Sequence, residues 1–126
     1  MKTKLIFIIG LFFGWQSIAQ TVYRYTSREY YTYSEAKSRM ILDYSDKIAS
    51  TLTIDDQKKR IQFKISGVKE VAIFNNLTVK GPISANRGKT FLLYIHKDQN
   101  NEEVHFYISK EAARIESFGS MVQLFE

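Results

Sequence analysis

Two histidines, His96 and His105, are the only imidazoles in the chain, and they fall in two runs of alternating side chains. Phe91, Leu93 and Ile95 alternate with Leu92, Tyr94 and His96; Val104, Phe106 and Ile108 alternate with His105 and Tyr107. Asn100-Asn101 lies between them and suits a two-residue hairpin turn, because Asn tolerates positive φ. A turn centred there pairs Ile95 with Phe106 and Leu93 with Ile108 on a core face. On the other face it sets His96 opposite His105, Tyr94 opposite Tyr107 and Asp98 opposite Glu103. Two carboxylates facing each other across an antiparallel pair repel, and a bound cation would relieve that repulsion. Two imidazoles with carboxylate oxygens form a Zn²⁺ or Cu²⁺ ligand set. His96, His105, Asp98 and Glu103 are therefore the candidate metal ligands. The competing reading is a polar hairpin face beside a solvated turn, where salt screens the repulsion.

The second chemical signal is aromatic. Tyr23, Tyr25, Tyr30, Tyr31 and Tyr33 crowd the start of the chain that follows the apolar leader. Tyr23, Tyr25, Tyr31 and Tyr33, with Tyr94 and Tyr107 from the hairpin above, are the candidate ligand-binding residues: aromatic faces stack on flat or apolar ligands. The competing reading is that these are ordinary half-buried strand residues.

Covalent and acid–base chemistry is poorly provided for. Nucleophilic catalysis needs a nucleophile beside a base and an orienter. The sequence holds no Gly-x-Ser-x-Gly elbow, Walker loop, GxGxxG or His-Glu-x-x-His. The adjacent carboxylate pairs, Asp55-Asp56 and Glu102-Glu103, both fall at turns. With no cysteine in the chain there is no thiol nucleophile, thiolate ligand or disulfide. No enzyme activity and no cofactor are expected.

The elements that must position these residues read mainly as strands. Leu52 and Ile54, then Ile61, Phe63 and Ile65, share one parity about Asp55-Asp56-Gln57-Lys58-Lys59-Arg60. A turn centred on Gln57-Lys58 opposes Ile54 to Ile61, Leu52 to Phe63, Thr53 to Gln62 and Asp55 to Arg60. A one-residue slip would oppose apolar to polar side chains throughout, so the register is specified. Val71, Ile73, Leu77 and Val79 share a parity interrupted at Asn75. They form either one bent strand over Glu70–Lys80 or a short hairpin turning at Asn75-Asn76. Gly81 to Gly88, with the single proline Pro82, reads as the longest loop. Ala36, Met40, Ile41, Tyr44 and Ile48 recur at helical spacing after Ser34, which predicts a helix over about 35–45. A strand pairing Met40, Leu42 and Tyr44 by parity competes with it. Ser109 would cap a second helix over about 110–118, stopped by Gly119, before a last strand over Met121–Phe125. The expected core is Leu52, Ile54, Ile61, Phe63, Ile65, Val71, Ile73, Phe91, Leu93, Ile95, Val104, Phe106 and Ile108. The expected fold is one small antiparallel β domain, a curved meander closing into a small barrel or sandwich.

Residues 1–19 read as a cleavable signal peptide. Lys2 and Lys4 precede an uncharged, mostly apolar run from Leu5 to Trp15, too short for a bilayer span, and Ser17-Ile18-Ala19 supplies small residues for cleavage after Ala19. Residues 20–126 form the expected domain, with no transmembrane segment and a secreted or periplasmic location. Without Lys2 and Lys4 the 18 basic residues become 16 against 13 acids, a net charge of +3. That mild balance, with Lys58-Lys59-Arg60 as the only basic triplet, argues against nucleic-acid binding. The function expected is a non-catalytic binding or carrier module for a hydrophobic ligand, or alternatively a surface-interaction module for a protein or glycan.

Overall fold

The computed structural model describes residues 20–84 and 89–126. The expected signal peptide and the end of the expected Gly81–Gly88 loop lie outside the described residues. The described chain is mainly β, with no helix among the described residues, and its strands form two antiparallel sheets. The four-stranded sheet holds β1 (Gln20–Tyr25), β4 (Ser50–Asp55), β5 (Arg60–Ile65) and β6 (Ala72–Phe74), in the order β1-β4-β5-β6. The seven-stranded sheet runs β3-β2-β11-β10-β9-β8-β7. Its members are β2 (Ser27–Ser34), β3 (Arg39–Asp46), β7 (Thr78–Ser84), β8 (Thr90–Lys97), β9 (Glu103–Ile108), β10 (Ala112–Ser117) and β11 (Ser120–Phe125). The ladders do not merge into one closed barrel.

Three short breaks carry the chain between sheets: Thr26 after β1, residues 47–49 after β3 and residues 75–77 after β6. At the first, the Thr26 amide donates to Phe125 O at 2.8 Å. Beside it, the buried Arg28 guanidinium donates to both Asp46 carboxylate oxygens, at 2.7 and 2.9 Å, and to the Tyr30 hydroxyl at 2.7 Å. The pairing holds the Asp46 carboxyl below the usual aspartate range and ties β2 to β3 where both leave the larger sheet. At the third break Asn76 takes φ +56°, so Asn75-Asn76 is neither a hairpin nor the middle of one bent strand. It is a corner between strands of different sheets.

Buried side chains from both sheets meet in one core. Tyr25, Leu52, Ile54 and Ile61 come from the smaller sheet; Tyr94, Phe106, Ile108, Ala113 and Leu124 come from the larger; Leu77 fills the corner. Phe74 stacks edge-on against Phe106, ring centroids 4.9 Å apart. Of the expected core, Val71 and Ile73 are exposed. Ile73 belongs to β6, which is only three residues long and forms the edge of its sheet, and Val71 precedes it, while the corner turns Leu77 inward instead.

The β4–β5 hairpin has the predicted register, Ile54 opposite Ile61 and Leu52 opposite Phe63. Its four-residue loop closes with the Lys58 amide donating to Asp55 Oδ1 at 3.1 Å and Lys59 at φ +49°. Both expected helices are strands. After Ser34 a single turn forms, with the Lys37 amide on the Ser34 hydroxyl, and it ends at Ser38 with φ +52°. Residues 39–46 then pair with β2, and Tyr44 stacks on Tyr30 at 4.6 Å. The aromatic and β-branched partners on β2 override a helical spacing that only one turn honours. In the second case the Ser109 hydroxyl ties a tight turn to Ala112. Ala113 and Ile115 then alternate into the core opposite Ile108 and Phe106. Gly119, at φ +78°, turns β10 into β11. The Gly81-Pro82 stretch is not loop but the end strand β7, where a proline removes no ladder bond on the open side.

Candidate functional site

The β8–β9 hairpin decides which side chains can act together. Its pairs are Leu92–Ile108, Tyr94–Phe106, Ile95–His105, His96–Val104 and Lys97–Glu103. That is one residue away from the expected register. The cause is the loop. The Asp98 amide donates to Glu102 O at 2.9 Å, leaving Gln99, Asn100 and Asn101 as a three-residue loop with Asn101 at φ +63°. Asp98 Oδ1 fixes it by accepting the Asn100 amide at 2.8 Å and the Glu102 amide at 3.0 Å. An odd loop shifts the pairing by one residue and turns one strand over.

His96 and His105 therefore lie on opposite faces. His96 points toward the core side, its ring edge-on to Phe74 at 5.4 Å and its Nδ1 2.6 Å from Asn75 O. His105 points outward, with Nε2 3.1 Å from Glu103 Oε1, a contact that holds the Glu103 carboxyl below its usual range. Asp98 spends its carboxylate on loop amides and faces no Glu103. The expected four-ligand set is not assembled.

The six candidate tyrosines divide between the two faces. Tyr25 is buried, donates to Ser109 O at 2.6 Å, and burial pushes its phenol well up. Tyr94 is buried near Asp56, and burial, then the Asp56 charge, pushes it up to about 12. Tyr23 packs against the same core opposite Leu52. Tyr31, Tyr33 and Tyr107 project from the outer face of the larger sheet, where Tyr31 donates to Glu29 at 3.0 Å. No single tyrosine platform exists.

The same register shift builds a different site. With Leu92 and Tyr94 inside, Phe91, Leu93 and Ile95 of the expected core turn to the outer face beside Tyr107. On that face a groove of about 340 Å³ opens between Ile83, Phe91, Tyr107 and Phe125, over the small outward side chain of Ala112. Arg114 forms its polar wall. It stands opposite Tyr107 on β9 and Gln123 on β11. Its Nη1 donates to Glu116 at 3.3 Å. With the Gln123 amide oxygen turned toward it, Nε and Nη2 donate there at 3.3 and 2.9 Å. The guanidinium stays about half exposed. The Tyr107 phenol is raised by partial burial and by the Glu116 charge, with Arg114 acting the other way. The groove thus offers apolar walls and one partly solvated fixed cation. A sequence signal for it existed in the unbroken run Phe91-Leu92-Leu93-Tyr94-Ile95, which marks a strand apolar on both faces.

Comparison of the chain with protein-family models, with curated proteins and with solved structures finds no match.

Proposed function

We propose that the chain is an exported, non-catalytic binding module that seats a hydrophobic ligand in the outer groove of the larger sheet. The observation that carries this reading is the groove itself: Ile83, Phe91, Tyr107 and Phe125 around a floor at Ala112, closed on one side by Arg114. Apolar walls with one convergent charged group are the usual make-up of a small-molecule site. Arg114 favours a ligand whose apolar body ends in an anion, since a guanidinium matches a carboxylate in geometry as well as charge. The non-catalytic reading is supported by a sequence with no nucleophile, base and orienter in combination.

Export and the finer architecture belong to the same proposal. Residues 1–19 act as the leader, cleaved after Ala19, and residues 20–126 make one domain working in the periplasm or outside the cell. The two sheets are parts of one sharply bent meander, a split barrel. Support for this comes from the three breaks that pass between sheets and from β11 pairing back onto β2.

The test is calorimetric titration of dodecanoate into exported protein whose intact mass begins at Gln20. Micromolar binding is expected. Arg114→Ala should weaken it by about tenfold, the loss of one charge-assisted contact, and Ala112→Trp should abolish it by filling the floor. Absence of binding, or binding unchanged by Ala112→Trp, overturns the proposal. A second reading, a surface-interaction module for a glycan or protein, is favoured by Tyr33 and Tyr44, both exposed at the far end of the same sheet. Glycan binding that survives Ala112→Trp but not Tyr33→Ala would select it.

A further inference from the structure

β3 ends the larger sheet, and among the described residues no strand lies on its far side. It spans eight residues with a β-bulge at Asp43, against six in the edge strand β1 and three in β6, while the open strand β7 carries Pro82. Long unpaired edges are templates for another strand. This one also exposes apolar surface: Leu42 is 47% and Tyr44 51% accessible. Across the neighbouring ladder, Met40 lies opposite Tyr33 and Leu42 opposite Tyr31 on the outer face. Arg39 and Ile41 take the other face; Asp43 is the extra residue of a β-bulge between Leu42 and Tyr44, and its carboxylate accepts the Thr32 hydroxyl on that same face.

We infer that β3 is a dimerisation edge that takes β3 of a second copy of this chain, antiparallel, with Ile41 on the twofold axis. A symmetric pair places one residue opposite itself and repeats every other contact twice. With Ile41 on the axis, Arg39 faces Asp43 of the partner subunit, and Met40 faces Leu42 of the partner subunit. Two opposite-charge pairs then flank a central apolar cluster. Moving the axis to Leu42 sets Arg39 against a serine and Ile41 against an aspartate. Moving it to Asp43 opposes two carboxylates, which repel. Of these three registers, only the Ile41-centred one pairs the charges. Arg39 and Asp43, which would discourage an arbitrary strand from docking, thereby choose the register of an identical one. The turn at Ser38, φ +52°, ends the pairing beyond Arg39 on each side. The result is two larger sheets joined edge to edge, with no call on the groove residues.

Sedimentation equilibrium of the mature chain over a wide concentration range tests the inference. A reversible dimer is expected. Arg39→Asp sets two aspartates face to face, and Asp43→Arg sets two arginines face to face. Each single change should weaken dimerisation roughly tenfold or more. The double variant Arg39→Asp/Asp43→Arg should restore it to within about threefold of wild type on the same scale. Circular dichroism and melting of each variant separate loss of pairing from loss of fold. Because Asp43 also holds Thr32, Leu42→Lys, which leaves that contact alone, gives a second route and should also yield monomer. A wild-type chain that stays monomeric overturns the inference. So does a dimer indifferent to both charge reversals, or one that the double variant fails to restore.

Discussion

The β4–β5 and β8–β9 hairpins are built from similarly apolar strands, yet different things fix their registers. In β4–β5 one face carries Leu52, Ile54, Ile61 and Phe63, and the other carries Thr51, Thr53, Gln62 and Lys64. Sliding one strand past the other would bury the polar set, so burial alone enforces the register. In β8–β9 both faces of β8 are apolar, Leu92 and Tyr94 on one, Phe91, Leu93 and Ile95 on the other. Burial barely distinguishes them there, and the loop decides. Asp98, through two amide hydrogen bonds, selects the three-residue loop and thereby which face of β8 the core receives. A hairpin with two apolar faces leaves one of them for another use, and in this protein that face walls the groove.

The largest effect that sharpens this contrast comes from paired truncations on β8. Tyr94→Ala removes a buried ring and should cost about 3–5 kcal/mol in chemical denaturation, while Leu93→Ala on the outer face should cost only about 1 kcal/mol. Equal losses would mean that the two faces are not distinguished as described.

A pH titration separates the same faces. Tyr94 is pushed up to about 12 by burial, whereas an unfolded chain ionises its tyrosines near 10, an approximate reference value. The folded state thus holds its proton after the unfolded state has lost it. Stability should be full below about pH 10 and fall steadily as pH rises toward 12 and beyond. Tyr25, raised by burial as well, steepens the fall. Tyr94→Phe should flatten the alkaline limb in urea melts monitored by circular dichroism, and Tyr107→Phe, on the outer face, should flatten it less.

The smallest of the three effects concerns the loop. Asp98→Ala leaves the Asn100 and Glu102 amides without their acceptor and should cost about 1–2 kcal/mol, less than the core truncation. Cross-strand nuclear Overhauser effects should then weaken between Lys97 and Glu103 first. Asp55→Ala in the other hairpin should lower stability by a similar amount but leave the Ile54–Ile61 contact in place, because burial holds that register.

What the residues reveal before any coordinates follows the same division. The β4–β5 register is legible because polar and apolar positions segregate cleanly in it, and the closing strand at Met121–Phe125 falls where the sequence sets it, after Gly119. β3 and β10 are harder. Met40, Ile41 and Tyr44 satisfy a helical spacing as well as a strand, and what settles the matter is tyrosine partners on β2, remote in sequence from any local signal. Ala112, Ile115 and Phe118 mimic a helix face, but Ile115 alone of them packs against the core, while Phe118 occupies the turn. The metal set fails for a still smaller reason: one loop residue more or fewer moves a histidine to the other face. The groove is legible only in pieces: Phe91 lies in a run apolar on both faces and Tyr107 is a candidate ligand residue, but Ile83, Arg114 and Phe125 come from other strands that no local pattern links to them.

The pairing of β11 with β2 has a kinetic consequence. Gln123 sits opposite Glu29, 94 positions earlier in the chain, and β11 lies between β2 and β10. The local hairpins can form as soon as each is available, but the larger sheet stays in two pieces until the last six-residue strand arrives. Such a non-local closure makes folding slow relative to helical proteins of this size, because the loop entropy is lost before the contacts are gained. A chain lacking β11 would keep the facing edges of β2 and β10 open together, and those edges would be free to take up a strand from another molecule.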